Sequence, residues 1–193
     1  MPVTSPTTTA RREQIVAAAI EVIAAGGFAQ ASFARIAEHA GLSSTRLISY
    51  HFAGKADLMS TVAVTVVQAI GDHVGRLVAA ETTARGQLHA YLRAVVGFVG
   101  GHRAEMTALQ AVFLAGALDY DALAEQQSVN PLEEILRRGQ ETGELRDFDV
   151  TVVATTVQRS VDGLPMMLDF HPDLDLAAYA EELVTLFDLG TRA

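Results

Sequence analysis

Apolar residues recur at three- and four-residue spacing along most of the chain, and glycines, prolines and capping residues cut this pattern into helices. Ile15, Ala19, Val22 and Ile23 share one face, so a first helix is expected from about Ala10 to Ala25, stopping at Gly26-Gly27. Phe33, Ile36, Ala37 and Ala40 stand at i, i+3, i+4 and i+7, one face of a second. Leu47 and Ile48 supply the apolar side of a third. Between these two, Gly41-Leu42-Ser43 reads as a tight turn followed by a capping serine. Gly54 breaks the chain, and a fourth helix is expected from Lys55 to about Ala80, with Leu58, Val62, Val66, Ile70 and Leu77 along one face. A fifth follows Thr83, carries Leu88, Leu92, Val95, Val96 and Val99, and fades at Gly100-Gly101. The sixth spans roughly Ala104 to Leu118. Asn130 and Pro131 form a cap and a first-turn proline, opening a seventh that ends near Gly143. Asp149 caps an eighth reaching about Leu168, and a ninth runs from about Asp175 to Leu189. No strand pattern or repeat competes. The chain is expected to be all-α with about nine helices, the first three distinct from the rest.

Two short helices around a glycine turn have the layout of a helix-turn-helix, whose second helix enters the major groove of DNA. Composition refines this picture. The chain has 193 residues, half of them hydrophobic, and no cysteine, which removes disulfides, thiolate metal sites and cysteine nucleophiles. That fits a cytoplasmic location. A formal charge of −9 looks wrong for a DNA binder until it is divided. Residues 1–55 hold five basic and three acidic side chains, and the remainder nine arginines against 20 acids. Only the local field matters at a docking face, because charges beyond about 8–10 Å are largely screened at physiological salt. Arg11-Arg12 and the apolar run behind them imitate a twin-arginine signal, but Glu21 interrupts the run, which favours a structural helix. No stretch reaches the roughly 18 uncharged apolar residues of a membrane span, so no membrane partner is expected. An enzyme is not expected either: there is no Gly-x-Ser-x-Gly elbow, no glycine-rich phosphate loop and no His-Glu zinc helix.

Phe28, Ser32, Ile36-Ala37, Ala40-Gly41-Leu42-Ser43, Tyr50-His51-Phe52, Lys55 and Leu58 together resemble the DNA-binding domain of the tetracycline-repressor (TetR) family of transcriptional regulators. The resemblance covers roughly the first 60 residues. Ser49 stands where the family usually has a tyrosine, with Tyr50 following, and the segment from Ser43 to Phe52 is one residue longer than the common pattern. The implied organisation is a tail over 1–9, a helix-turn-helix domain over 10–54 and a helical ligand-binding and dimerisation domain over 55–193. The implied function is sequence-specific transcriptional regulation, usually repression, on double-stranded operator DNA. A helical ligand carrier without DNA binding and a helical enzyme are the alternatives.

Within the arm, Ser32 reads as a helix cap, with or without a phosphate contact. Ser43, Ser44, Thr45 and Arg46 open the recognition helix, whose N-terminal residues meet base edges, and Ser49 lies on the same helix. Arg46 can fork onto guanine, a contact worth about 1–3 kcal/mol of discrimination, or meet a phosphate. Tyr50 and His51 resemble the family's backbone clamp; His51 packing against the first helix is the other reading. Lys55, the only lysine, sits at a helix N-terminus against the dipole, which marks it as an anion site. Arg11 and Arg12 reach the neighbouring groove or backbone, or are simply an exposed helix start. One arm offers too few contacts for tight binding at physiological salt, so two are expected, on half-sites about 34–36 Å apart.

The resemblance implies a homodimer built on the last two helices. Thr155, Thr156, Ser160 and Gly163 allow close approach, and Leu183, Leu186 and Phe187 form an apolar stripe. It also implies a small-molecule pocket whose occupation tilts the fourth helix. Candidate lining residues are Val66, His73, Tyr91, Val95, Met106, Gln110, Phe113 and Gln158, each more readily read as core packing; their apolar company suggests an apolar effector. His89, His102 and Glu105, and the loop carrying Asp169, His171, Asp173 and Asp175, are read as ordinary caps and packing rather than metal sites. No cofactor is expected.

Overall fold

The computed structural model describes residues 6–117 and 131–193. Among them the chain forms ten α-helices and one 3-10 turn: α1 (Pro6–Gly26), the turn Phe28–Gln30, α2 (Phe33–His39), α3 (Arg46–His51), α4 (Lys55–Ala79), α5 (Ala84–Gly101), α6 (Arg103–Leu114), α7 (Pro131–Glu141), α8 (Val150–Asp162), α9 (Leu164–Phe170) and α10 (Leu176–Thr191). The all-α reading holds. Residues 6–9, expected in the tail, lie in α1, which starts at Pro6 because proline suits a first turn. Asn130, the expected cap of α7, lies outside the described residues.

Several helix ends follow directly from the sequence. Thr83 caps α5 by accepting from Gly86 N–H, Asp149 caps α8 by accepting from Val152 N–H, and Asp175 caps α10 by accepting from Ala177 and Ala178 N–H. The expected eighth helix is two. Pro165 lacks an N–H and clashes one turn back, so α8 stops at Asp162 and α9 restarts after Gly163.

The described residues divide into two compact units, with α4 contributing to both. In the first, α1 packs on α2 and on the turn that precedes it. Ile15, Ala19, Ile23, Ile36, Ile48 and Phe52 are buried there. The apolar run of α1 is thus a packing face. By length and composition α4 also passes for a membrane span, yet Asp57 and Asp72 interrupt it, and Leu58, Met59 and Val62 are fully buried.

In the second unit α5 is the central helix, packed against α7 and α10. Leu88, Leu92, Leu132, Leu136, Leu145, Val157 and Phe187 share its core. Arg85, His89 and Arg93, at four-residue spacing on α5, meet acids on α10. Arg93 forks onto Glu181 (2.6 and 2.8 Å), while Arg85 forks onto Asp188, which also meets His89 Nε2 at 2.9 Å.

Candidate nucleic-acid interface

The helix-turn-helix is built by local backbone chemistry. At the end of α2, Gly41 adopts φ +64°, a left-handed value that only glycine takes freely. Gly41 N–H then donates to Glu38 O (3.1 Å) and Leu42 N–H to Ala37 O (2.8 Å), closing the Schellman pattern that satisfies the last carbonyls. The turn is therefore as the sequence predicts, but the start of the recognition helix is not. Ser43 is no cap. The helix begins at Arg46 after Thr45, whose side chain makes no cap bond, and the Ser44 and Thr45 carbonyls receive the N–H groups of Leu47 (3.3 Å) and Ile48 (3.0 Å). Ser43 and Ser44 precede the helix in an exposed loop.

Ile48 is the buried anchor of α3, and Phe52 follows it into the core. Leu47, expected beside Ile48 on the apolar side, is instead 37% exposed. It lies in a shallow open depression with Ser43, Ser44, Arg46, Ser49 and Tyr50. This face joins four hydroxyl-bearing side chains, one guanidinium and one apolar tip. Ser49 turns its hydroxyl back to Thr45 O (3.4 Å). Tyr50, 80% exposed, stacks edge-on against His51 with ring centres 5.1 Å apart.

Ser32 caps α2 through a 3.3 Å bond from Arg35 N–H and remains exposed. Arg35, which the sequence reading passed over, is exposed in the first turn of α2 beside that cap. Its position three residues after Ser32, on the polar side of α2, was the available signal. Arg11 donates to Gln14, and Gln14 in turn donates to Ala40 O, tying α1 to the end of α2.

Two expected contact residues are engaged inside the fold. Arg12 donates to His51 O (2.6 Å) and Thr61 Oγ1 (3.0 Å), with its guanidinium 4.3 Å from the centre of the Phe52 ring. It is therefore not an arm reaching toward a groove. Lys55 is half-buried, donates to Phe28 O (3.0 Å) and lies 4.5 Å from the Phe28 ring centre. One of its three protons is used at home, and two are left for an anion. Asp57 receives Ala53 N–H at 2.8 Å and offsets the cation at the start of α4.

Of the residues expected to line a ligand pocket, Val66, Met106, Gln110 and Phe113 belong to the first unit and His73, Tyr91, Val95 and Gln158 to the second. Phe113 is 54% exposed, whereas Val66 and Val95 are buried. Tyr91 Oη donates to Gln158 Oε1 (2.6 Å), and Gln158 Nε2 to Asp162 (2.7 Å). Burial first, and the Asp162 charge second, push the Tyr91 phenol up to about 12. His73 packs edge-on against Phe98, whose ring stacks on His102 at 4.0 Å. Of the expected dimer residues, Phe187 fills this chain's own core, clustered with Leu88, Leu92, Leu136 and Val157, and Leu183 packs against that core. Thr155, Thr156, Gly163 and Leu186 are exposed, and Ser160 is half-buried.

A recognition face of this build, on a glycine-turned pair of helices, defines a helix-turn-helix protein. Residues 15–62 match the family described as bacterial regulatory proteins, tetR family. The HTH-type transcriptional regulator BetI 1 of Chromohalobacter salexigens is 39% identical over 66 residues, a stretch covering 34% of this chain and 32% of that protein. The chain thus aligns with about a third of this curated relative's length. The fold is shared far more widely. The fatty acid degradation regulator FadR of Bacillus halodurans superposes with a TM-score of 0.80 at 20% identity over 95% of both chains. FadR of Bacillus subtilis, solved in complex with stearoyl-CoA, gives 0.76 at 22% identity over 90% of this chain and 96% of that one.

Proposed function

We propose that the protein is a sequence-specific transcriptional regulator that binds operator DNA as a homodimer and is released from it by a small molecule, acting as a repressor in the cytoplasm. The observation that carries this reading is the exposed α3 face, where Arg46, Tyr50 and the hydroxyls of Ser43, Ser44 and Thr45 stand free on a buried Ile48 anchor. Such a face matches base edges and phosphates, and its N-terminal residues go deepest in the major groove. Ser32, Arg35 and Lys55 add phosphate contacts, with Tyr50 and His51 flanking the helix end.

The homodimer is supported by an uncovered stripe in the second unit. Val152, Thr155, Thr156 and Arg159 lie at i, i+3, i+4 and i+7 on α8 and are exposed, and α10 exposes Leu186 (61%) and Leu189 (58%). Apolar residues repeated on one face need a covering surface. Ligand control is supported by the fold shared with the stearoyl-CoA complex of FadR, and an apolar effector suits the valine- and phenylalanine-rich candidate residues. Such a ligand acts only by binding one setting of α4 better than another.

The test is binding-site selection with the purified chain from a random duplex pool at fixed salt. Enrichment of a two-fold symmetric sequence supports the regulator. Recovery of no sequence, with a bound small molecule in the purified protein, supports the ligand-carrier alternative instead.

A further inference from the structure

We propose that Arg12 is a positioning residue for operator recognition: it locks the C-terminal end of α3 to α4, so that DNA affinity depends on it although it touches no DNA. The inference rests on the DNA-binding reading above.

Three neutral partners hold the guanidinium. His51 O, at the last residue of α3, is one of the carbonyls that a helix leaves without an internal partner, and Arg12 meets it at 2.6 Å. A cation at this end is also favoured by the helix dipole. Thr61 Oγ1, in the second turn of α4, accepts at 3.0 Å while donating its own proton to Asp57 O (2.8 Å). The Phe52 ring, 2% exposed, stacks below the guanidinium. The two acceptors lie 39 and 49 residues from Arg12, so a single planar group joins α1, the end of α3 and the start of α4. Partners of this kind place a group rather than neutralise a charge, and the planar fork fixes direction in a way an ammonium does not.

The geometry matters because α3 is short. Its six residues hold one fully buried side chain, Ile48, which leaves a roll about its own axis opposed mainly by what grips its ends. Gly41 and its bonds grip the turn before it, and Arg12 grips the far end. A recognition helix must be held within about 0.5 Å and 10–20° of its docking pose to keep its contacts. Because Thr61 belongs to α4, any displacement of the start of that helix is passed to α3 through the same group.

The duplex selected by the wild-type chain is the probe. Its affinity for Arg12→Met, Arg12→Lys and Thr61→Val is measured across a salt series, well below each variant's melting temperature and corrected for active fraction. Arg12→Met is expected to weaken binding about tenfold or more with the slope of log affinity against log salt unchanged, since no phosphate contact is lost. Thr61→Val is expected to weaken it in the same direction with the same slope, and Arg12→Lys to fall between. A merely structural role would lower melting temperature and leave the affinity of the folded fraction unmoved, and that result overturns the proposal. So does a slope shallower by about 1, the sign of a direct phosphate contact. If Arg12→Met does not fold, Thr61→Val alone decides between the same outcomes. Failure of the underlying reading looks different: the wild-type chain then selects no duplex at all.

Discussion

Arg46 is the one guanidinium on the open α3 face, and its neighbours there are hydroxyls, a tyrosine and Leu47. A guanine contact by this side chain gives a defined signature. Arg46→Ala should cost about 1–3 kcal/mol at one operator position and relax the preference there, read by competition with single-base variants. An equal loss on all duplexes would assign Arg46 to the backbone. At this scale the sequence shows which residues are chemically suited to a role but not which are already engaged. Arg11 and Arg12 are adjacent and look alike. One bonds locally to Gln14, and the other is drawn to a carbonyl 39 residues away. Leu47 and Ile48 both look apolar, yet only Ile48 is buried while Leu47 is left on the open face. Phe187 shows the same limit: a helical stripe says that a face is apolar, not whose core it meets.

Helix ends were legible where one side chain closes a local ring, as at Thr83, Asp149 and Asp175, and illegible where several hydroxyls compete, as at Ser43 to Thr45. Between helices, two glycines that the sequence makes equivalent have opposite expected outcomes. A methyl on Gly139 of α7 would run into the buried Leu145 side chain and lie 3.1 Å from Ala84 on α5, so Gly139→Ala should destabilise by about 1–3 kcal/mol despite its better helix propensity. Around Gly71 in α4 nothing lies within 4 Å of the added carbon, and Gly71→Ala should stabilise by about 0.5–1 kcal/mol. Urea unfolding of both variants tests the pair. The α5–α10 ion pairs give a pH dependence. The hydrogen bond from Arg85, with His89 and both charges assisting, holds the Asp188 carboxyl at about 2. A carboxyl lowered in the folded state stabilises above its unfolded value, near 4, and loses that contribution as the folded form is protonated toward pH 2. Asp188→Asn should therefore cost on the order of 1–2 kcal/mol at pH 7, the figure reduced because Arg85 is half exposed, and the gap to wild type should close between about pH 4 and 2.

For the molecule as a whole, the division of charge and the division of apolar surface carry the same argument. An acidic chain of −9 cannot hold DNA by its net field, so on the proposed function binding would rest on a few contacts per arm and hence on having two arms. Two independent weak arms gain nothing; two arms joined at a fixed spacing gain about 10²–10⁴-fold through effective concentration. The exposed Leu186 and Leu189 of α10, with Val152 and the threonines of α8, are the surface available for that joining. Leu186→Glu places a charge on this stripe while leaving Val184 and Phe187, which hold α10 to α5, untouched. It should therefore yield a folded monomer by light scattering, with unchanged helix content. Its affinity for the selected duplex should fall by about 10²-fold or more, and its salt slope should approach half the wild-type value as one set of phosphate contacts is lost. A variant that stays dimeric, or a monomer that binds with full affinity and slope, would place the joining surface elsewhere or make one arm sufficient.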